Sequence, residues 1–261
     1  MNLDFEQKVA IHAAKKAGRL LMAHLNKVKE ITYKAKRDIV TEVDLRSEEI
    51  IISSLKNNFP KHDIFSEEKG SAQIAQEKAE YLWLIDPIDG TINYSYGMAP
   101  FRVGICLLKA KIPVLSVIYN PVKNEMYVAQ RGRGATMNGR KITVSSRKFL
   151  SETILSSHLS SKKDARRRVI KKLEKIFNAV FQIRFYGSLH ASLTYIAGGK
   201  EDACVWLQTN SWDILPGALL VEEAGGKVTD VNGEKITINS TDIVASNGGV
   251  HEQLLKVIKN I

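Results

Sequence analysis

The run Tyr81-Leu-Trp-Leu-Ile85 is apolar, aromatic and β-branched together, and it leads directly into the carboxylate of Asp86. A short apolar stretch of this kind reads as a buried strand. Further strands are expected over Phe101 to Leu108, Val114 to Tyr119 and Glu125 to Ala129. The Lys109-Ala-Lys111 turn joins the first two. Arg131-Gly-Arg-Gly134 and Asn138-Gly139 follow the third, and their glycine and asparagine suit turns. Ahead of this block, Val9, Ala10, Ala13, Ala17, Leu20, Leu21 and His24 recur at helical spacing. A second helix is expected to begin at Asp44, with Leu45, Ile52 and Leu55 on its inner stripe and Pro60 beyond its end. Lys34-Ala-Lys36-Arg37, between the two helices, reads as basic and irregular.

The second half alternates. Strand candidates at Thr153-Ile-Leu155, Ala203 to Leu207 and Asp242 to Ser246 interleave with helices over Ala165 to Phe177, Ser188 to Ala197, Leu215 to Ala224 and His251 to Ile258. Gly198-Gly199 and Gly225-Gly226 close two of these helices in the way glycine favours. Such alternation implies a sheet covered by helices, the α/β class. No Pro/Gly/Ser-rich linker interrupts residues 1–261, so a single domain is expected, built from two closely packed halves at about 1–146 and 147–261.

Composition narrows the setting. An apolar fraction of 44% supports a substantial core and excludes a disordered chain. No apolar run approaches the ~20 residues that span a bilayer, so no membrane role is expected. Met1-Asn2-Leu3-Asp4 lacks the charged-then-apolar pattern of a secretory signal. Cys106 and Cys204 both lie in apolar stretches and read as buried free thiols, which points to the cytoplasm. The net charge of +10 favours encounter with anions without choosing among metabolites, nucleic acid and acidic proteins. Much of that charge lies in residues 162–172, an amphipathic helix with a basic outer face. It reads either as a solvated surface or as a docking site for RNA or an acidic partner.

Chemistry concentrates in Trp83-Leu-Ile-Asp86-Pro-Ile-Asp89-Gly-Thr91. Pro87 keeps the chain extended past the first carboxylate. Gly90 permits a sharp turn, and Thr91 can start a helix whose free amides point the same way. Two carboxylates beside one another repel unless a cation lies between them. A hard divalent ion such as Mg²⁺ takes oxygen ligands and completes its shell with phosphate and water. Three other acidic places qualify as partners: Asp44 at a helix start, the pair Glu67-Glu68, and Asp213 between Trp212 and Ile214. Taken singly, Asp44 and Asp213 read equally well as helix caps, and the glutamates as a solvated loop. There is no Walker-type glycine loop, no GxSxG and no paired CxxC. The six histidines, at 12, 24, 62, 158, 190 and 251, are scattered singly and read as surface or cap residues.

In order along the chain, Asp38-Ile-Val-Thr-Glu-Val-Asp44, Glu67-Glu68, Asp86-Pro-Ile-Asp-Gly-Thr91 and Trp212-Asp213 resemble the inositol monophosphatase family. Gly132-Arg-Gly-Ala-Thr-Met-Asn-Gly139, Glu222-Glu-Ala-Gly-Gly226 and Ala245-Ser-Asn247 extend the resemblance over nearly the whole chain.

The resemblance implies an αβαβα sandwich and Mg²⁺-dependent hydrolysis of a small phosphomonoester. By that likeness Glu67, Asp86 and the Ile88 carbonyl would hold one Mg²⁺. Asp86, Asp89 and Asp213 would hold a second, and Glu67 would reach a weaker third through water. Asp44, Glu67 and Thr91 are the implied catalytic set. Asp89, Gly90, Thr91, Ser188, Trp206 and Asp213 are the implied substrate contacts. Mn²⁺ would substitute for Mg²⁺, Li⁺ would inhibit, and the protein would be a homodimer.

Departures from the pattern leave the substrate open. Ser66 stands where many members have glycine, and Gly187-Ser188-Leu189-His190 replaces smaller residues. Trp206 falls where inositol-specific members carry a carboxylate, and an indole cannot accept a hydrogen bond from a substrate hydroxyl. The alternatives are fructose 1,6-bisphosphate, 3′-phosphoadenosine phosphate or NADP as substrate, or an RNA- or transcription-machinery-binding protein with accessory phosphatase activity.

Overall fold

The computed structural model describes residues 2–28, 31–35, 38–69, 80–159 and 163–259; the side chains of residues 35, 38, 163–165 and 168 lie outside the description. Lys36, Arg37 and Lys162, which belong to the two basic stretches, fall outside the described residues.

Helix α1 (Asp4–His24) buries Ala10, Ala13, Ala14, Ala17 and Leu21. These small side chains let it pack closely on α2 (Glu42–Asn58) and on the first large sheet. Between the helices, Lys34 and its neighbours form an antiparallel hairpin, β1 (Ile31–Ala35) and β2 (Asp38–Thr41), rather than irregular chain. The second helix also starts two residues earlier than expected. Thr41 is its N-cap and accepts from the amides of Val43 and Asp44, while Asp44 reaches back to the Thr41 amide. Asp44 is thus the third helical residue of a reciprocal cap, not the first.

The first sheet has seven strands, ordered β3 (Asp63–Ser66), β4 (Tyr81–Asp89), β5 (Arg102–Lys109), β6 (Ile112–Asn120), β7 (Glu125–Gln130), β8 (Gly134–Met137) and β9 (Arg140–Lys141). Only β3 and β4 run parallel; the remaining pairs are antiparallel. The second sheet has five, ordered β11 (Gln182–Phe185), β10 (Ile154–Ser157), β12 (Ala203–Trp206), β14 (Ile243–Ser246) and β13 (Lys227–Thr229). Strands β3, β8, β11 and β13 are short, with three or four residues each. Such lengths carry too little alternation to be read from sequence.

Helices complete the layers. Helices α1 and α2 cover one face of the large sheet, and α5 (Leu189–Ala197) and α6 (Ser211–Glu223) fill the space between the two sheets. Helices α4 (Lys163–Phe177) and α7 (His251–Lys259) cover the far face of the small sheet through Val169, Ile176, Leu254 and Ile258. The order is α, β, α, β, α, as the resemblance implied. Among the described residues no helix is long and apolar enough to cross a membrane. His251 is buried and not at the surface, because both ring nitrogens find hydroxyls, on Thr229 at 3.0 Å and Ser246 at 2.9 Å.

Candidate metal centre

The centre forms where β4 ends. Asp86 pairs with Gly104, and the next register pair is Asp89 with Arg102, so β4 carries one extra residue there. In a regular strand residues three apart face opposite sides. The bulge removes that opposition and lets both carboxylates turn to one side. Ser47 on α2 donates to the Pro87 carbonyl at 3.1 Å and pins the irregular segment. Gly90 follows with φ 96°, where a side chain would press to 3.0 Å from the Pro100 carbonyl oxygen. The next element, α3 (Thr91–Ser95), begins directly after it.

Carboxylate oxygens of Asp86, Asp89 and Asp213 lie within 4.8 Å of one another. Asp89 is held by the start of α5: its Oδ2 accepts from Ser188 Oγ at 2.6 Å and from the His190 amide, and its Oδ1 from the Leu189 amide at 3.2 Å. Asp213 is held by the start of α6: its Oδ2 accepts from Thr209 Oγ1 at 2.6 Å and the Asn210 amide at 2.9 Å. That helix starts at Ser211, so Trp212 and Asp213 lie within its first turn, not ahead of it.

Asp86 differs from both. It is 1% exposed, and among the described residues neither of its oxygens has a hydrogen-bond partner. Burial, and then the negative charges of Glu67, Asp89 and Asp213, push its carboxyl well above the usual range. Burial and Asp89 raise Asp213 as well. An uncompensated buried carboxylate costs several kcal/mol. The cluster therefore calls for protons or a cation, and its all-oxygen carboxylate set fits a hard divalent ion.

Glu67 follows β3, and its amide donates to the Ile85 carbonyl at 3.1 Å, which sets it beside β4. Burial lifts its carboxyl to about 8, with Asp213 adding to the rise and Lys34 opposing it. Lys34 Nζ, on β1, lies 3.1 Å from Glu67 and 2.7 Å from Glu68. Glu48 on α2 is buried and accepts from the amides of Glu68 at 3.0 Å and Lys69 at 3.3 Å. Glu67 and Glu68 are therefore a fixed turn and not a solvated loop.

Behind the cluster, Thr91 Oγ1 lies 3.0 Å from Asp44 Oδ1 and 2.9 Å from the Ile88 carbonyl oxygen. Asp44 Oδ2 accepts from Thr41 Oγ1 at 2.5 Å and from the Thr41 amide at 2.8 Å. Burial raises the Asp44 carboxyl, and these hydrogen bonds oppose that rise.

Asp44, Glu67, Asp86, Ile88, Asp89, Thr91 and Asp213 thus converge from four segments of the chain. Ser188 is buried, with its hydroxyl engaged between Asp89 and the Ala191 amide. Trp206 lies at the end of β12, nearly buried, with its ring stacked 4.1 Å from that of His158. Three residues escaped the sequence reading. Glu48 had a signal, since it follows Asp44 by four and shares its helix face. Lys34 was hidden in a stretch read as irregular. His190 is fully buried against the carboxylates, with Nδ1 at 3.9 Å from Asp86 and 3.7 Å from Asp89, not at the surface. Its apolar neighbours Leu189 and Ala191 were the available signal.

The sequence pattern of the inositol monophosphatase family matches residues 2–261. The chain belongs to this family. Its relatives include the Nus factor SuhB of Pseudomonas aeruginosa, 36% identical over 96% of this chain and 94% of that protein. They also include the fructose-1,6-bisphosphatase/inositol-1-monophosphatase of Thermotoga maritima, 35% identical over 99% of this chain and 96% of that protein. Among solved structures, the extragenic suppressor protein SuhB of Bartonella henselae superposes with a TM-score of 0.92 at 31% identity, covering 98% of this chain and 99% of that one. As a member of the inositol monophosphatase family the protein is a phosphoric monoester hydrolase, and its acidic cluster suits the metal dependence of that family.

Proposed function

We propose that the substrate is an inositol monophosphate or a related sugar or polyol phosphate, and that hydrolysis requires two Mg²⁺ ions, with a weaker third. Asp86, Asp89 and Asp213 would hold one ion. Glu67, Asp86 and the Ile88 carbonyl would hold the other, with Asp86 shared. The observation that carries this is Asp86, a buried carboxylate with no partner for either oxygen among the described residues, set between charged neighbours. Bound Mg²⁺ would supply charge neutralisation at the phosphoryl oxygens and a more acidic water.

The protein's own groups do the rest. Thr91 Oγ1 orients the attacking water and hands its proton to Asp44, whose buried carboxyl is poised to hold it. Glu67, whose charge is felt at both Asp86 and Asp213, would be the second carboxylate acting on this water. The amides of Gly90 and Thr91 face the phosphate, and Asp89 and Asp213 meet the alcohol side of the ester. Ser188 acts on the substrate through Asp89, which it holds. Trp206 stands where inositol-specific members carry a carboxylate and can accept no hydrogen bond from a substrate hydroxyl, which supports a wider sugar phosphate range over strict inositol selectivity. The name of the Thermotoga relative, which joins two such substrates, supports the same range.

A phosphate-release assay with inositol 1-phosphate, fructose 1,6-bisphosphate, glycerol phosphate, NADP and 3′-phosphoadenosine 5′-phosphate tests this. Release from a sugar or polyol phosphate with Mg²⁺, lost in EDTA, is expected. A preference for NADP or the adenosine bisphosphate would move the substrate class, and no release from any ester would overturn the reading. Mn²⁺ should replace Mg²⁺, and Li⁺ should inhibit by entering the carboxylate cluster; unaffected turnover in Li⁺ would remove that part. The buried free thiols of Cys106 and Cys204 support a cytoplasmic location, which fractionation of the producing cells would test.

A homodimer is supported by β11, an edge strand that ends in the exposed ring of Phe185 and is preceded by the exposed ring of Phe181. A monomer in sedimentation at micromolar concentration would reject it. A second role, in binding RNA or an acidic protein, is supported by the basic face of α4 and by the name of the Pseudomonas relative. Charge reversal at Arg166 and Arg167 should then abolish RNA binding and leave turnover intact; unchanged binding would reject that role.

A further inference from the structure

His190 is a group that neither the carboxylate set nor the Asp44–Thr91 pair accounts for. It lies at the start of α5, fully buried, on the same segment that holds Asp89. Its Nε2 is 3.2 Å from the Trp212 carbonyl oxygen. A carbonyl oxygen only accepts, so Nε2 is the nitrogen that carries the proton. That carbonyl is available because the residue four positions on is Pro216, which has no amide to donate to it inside α6. A proline in the sequence therefore sets the histidine's tautomer. In the neutral ring Nδ1 is then a bare lone pair.

Nδ1 has no hydrogen-bond partner among the described residues and faces Asp86 Oδ2 at 3.9 Å and Asp89 Oδ2 at 3.7 Å. These separations discriminate between two arrangements. A protonated Nδ1 bonded to a carboxylate would stand about 2.7–2.9 Å from it. Two ligand atoms that share a metal ion at about 2.1 Å each are separated by about 3.0 Å at right angles and about 4.2 Å in line. The 3.9 Å to Asp86 Oδ2, itself without a partner among the described residues, falls in the second range. Asp89 Oδ2 already accepts from Ser188 and the His190 amide, so Asp89 would reach the same ion through Oδ1, which accepts only from the Leu189 amide. The ring's seat is also built in: Gly104, the residue paired with Asp86 across β4 and β5, has no side chain, and a Cβ there would collide with the imidazole Cε1.

We propose that His190 is a nitrogen ligand of this centre, its Nδ1 joining Asp86 and Asp89 on a divalent cation and raising the site's affinity for Mn²⁺ and Co²⁺ relative to Mg²⁺. The assignment rests on the reading that the carboxylate cluster holds a divalent ion. Imidazole suits first-row transition ions, whereas Mg²⁺ keeps to oxygen donors. A carboxylate-only site would show a smaller difference between the two classes.

The test is pulsed electron paramagnetic resonance of the Mn²⁺-loaded protein, with Mn²⁺ and Mg²⁺ affinities measured by calorimetry. Wild type should show a directly bound nitrogen. His190→Ala and His190→Asn should lose that signal, keep the circular dichroism of the fold, and lower the Mn²⁺-to-Mg²⁺ affinity ratio by about 10-fold or more. Tight Mn²⁺ binding without coupled nitrogen, or an unchanged ratio in both folded variants, overturns the assignment and leaves the carboxylate reading standing. No Mn²⁺ or Mg²⁺ binding by wild type overturns both.

Discussion

The hydroxyl of Thr91 lies 3.0 Å from the carboxylate of Asp44, and 47 residues of chain separate them. The same hydroxyl is 2.9 Å from the Ile88 carbonyl, so one proton faces two acceptors. Burial raises the Asp44 carboxyl, which makes it ready to take that proton. Asp44→Asn and Thr91→Val should each lower kcat by about 10²–10⁴-fold, the usual worth of a positioned proton acceptor, with KM nearly unchanged. Steady-state kinetics on a saturating phosphomonoester checks this. Unchanged kcat in either folded variant would remove the pair from the reaction.

Asp86 should tie stability to metal. Its carboxyl is buried and unpartnered among the described residues. In EDTA, Asp86→Asn should unfold at a higher temperature than wild type, because folding forces the wild-type carboxyl to take up a proton or stay charged in a buried site, and the amide needs neither. With saturating Mg²⁺ the order should reverse. Ligand at about 100 times Kd adds about 2.7 kcal/mol to wild type, or about 5–10 °C in a chain of this size. Thermal unfolding with and without Mg²⁺ measures both effects. A variant less stable than wild type in EDTA would contradict the electrostatic argument.

How far this was legible from sequence depends on the kind of signal. Asp86, Asp89 and Gly90 were readable because strand and turn sit in one short segment, each with a local residue preference, whereas the bulge between them shows only in the pairing with β5. Asp44 and Asp213 were visible as carboxylates at helix starts. Their shared centre followed only from the family resemblance and not from local pattern, because it depends on long-range pairing that brings α2, β4 and α6 to one point. Lys34 looked irregular because a hairpin of four- and five-residue strands shows almost no periodicity. His190 looked like a surface residue because its burial depends on the absence of a side chain at Gly104, 86 residues earlier, and on Pro216 freeing a carbonyl.

Gly104 and His190 should be energetically coupled. A methyl group at residue 104 meets the imidazole ring, so Gly104→Ala should cost about 1–3 kcal/mol through overpacking. In the His190→Ala background the same change should cost much less. Urea unfolding of the two single variants and the double variant gives the coupling. Additive effects would show that the ring does not occupy this seat.

Glu201 carries a pH signature away from the metal centre. It is 1% exposed; its Oε2 accepts from Ser156 at 3.1 Å, and Oε1 has no partner among the described residues. Burial, with Asp202 adding to it, pushes the carboxyl up to about 9. The folded protein keeps this proton over a range in which the unfolded chain, at 4.5, has already lost it. Unfolding therefore releases a proton, and the contribution to stability falls as pH rises from about 4.5 to about 9. Glu201→Gln should flatten that fall, gaining on the order of 3 kcal/mol over wild type at neutral pH. Denaturant unfolding across pH 5 to 9 would show it, and parallel curves for the two proteins would refute it.

The central claim is that Asp86, Asp89 and Asp213 share a divalent cation. Anomalous diffraction from crystals soaked in Mn²⁺ measures this most directly. The account predicts a strong anomalous peak within coordinating distance, about 2.0–2.3 Å, of a carboxylate oxygen from each of the three residues. A map with no peak there, and with Asp86 still buried, would contradict it.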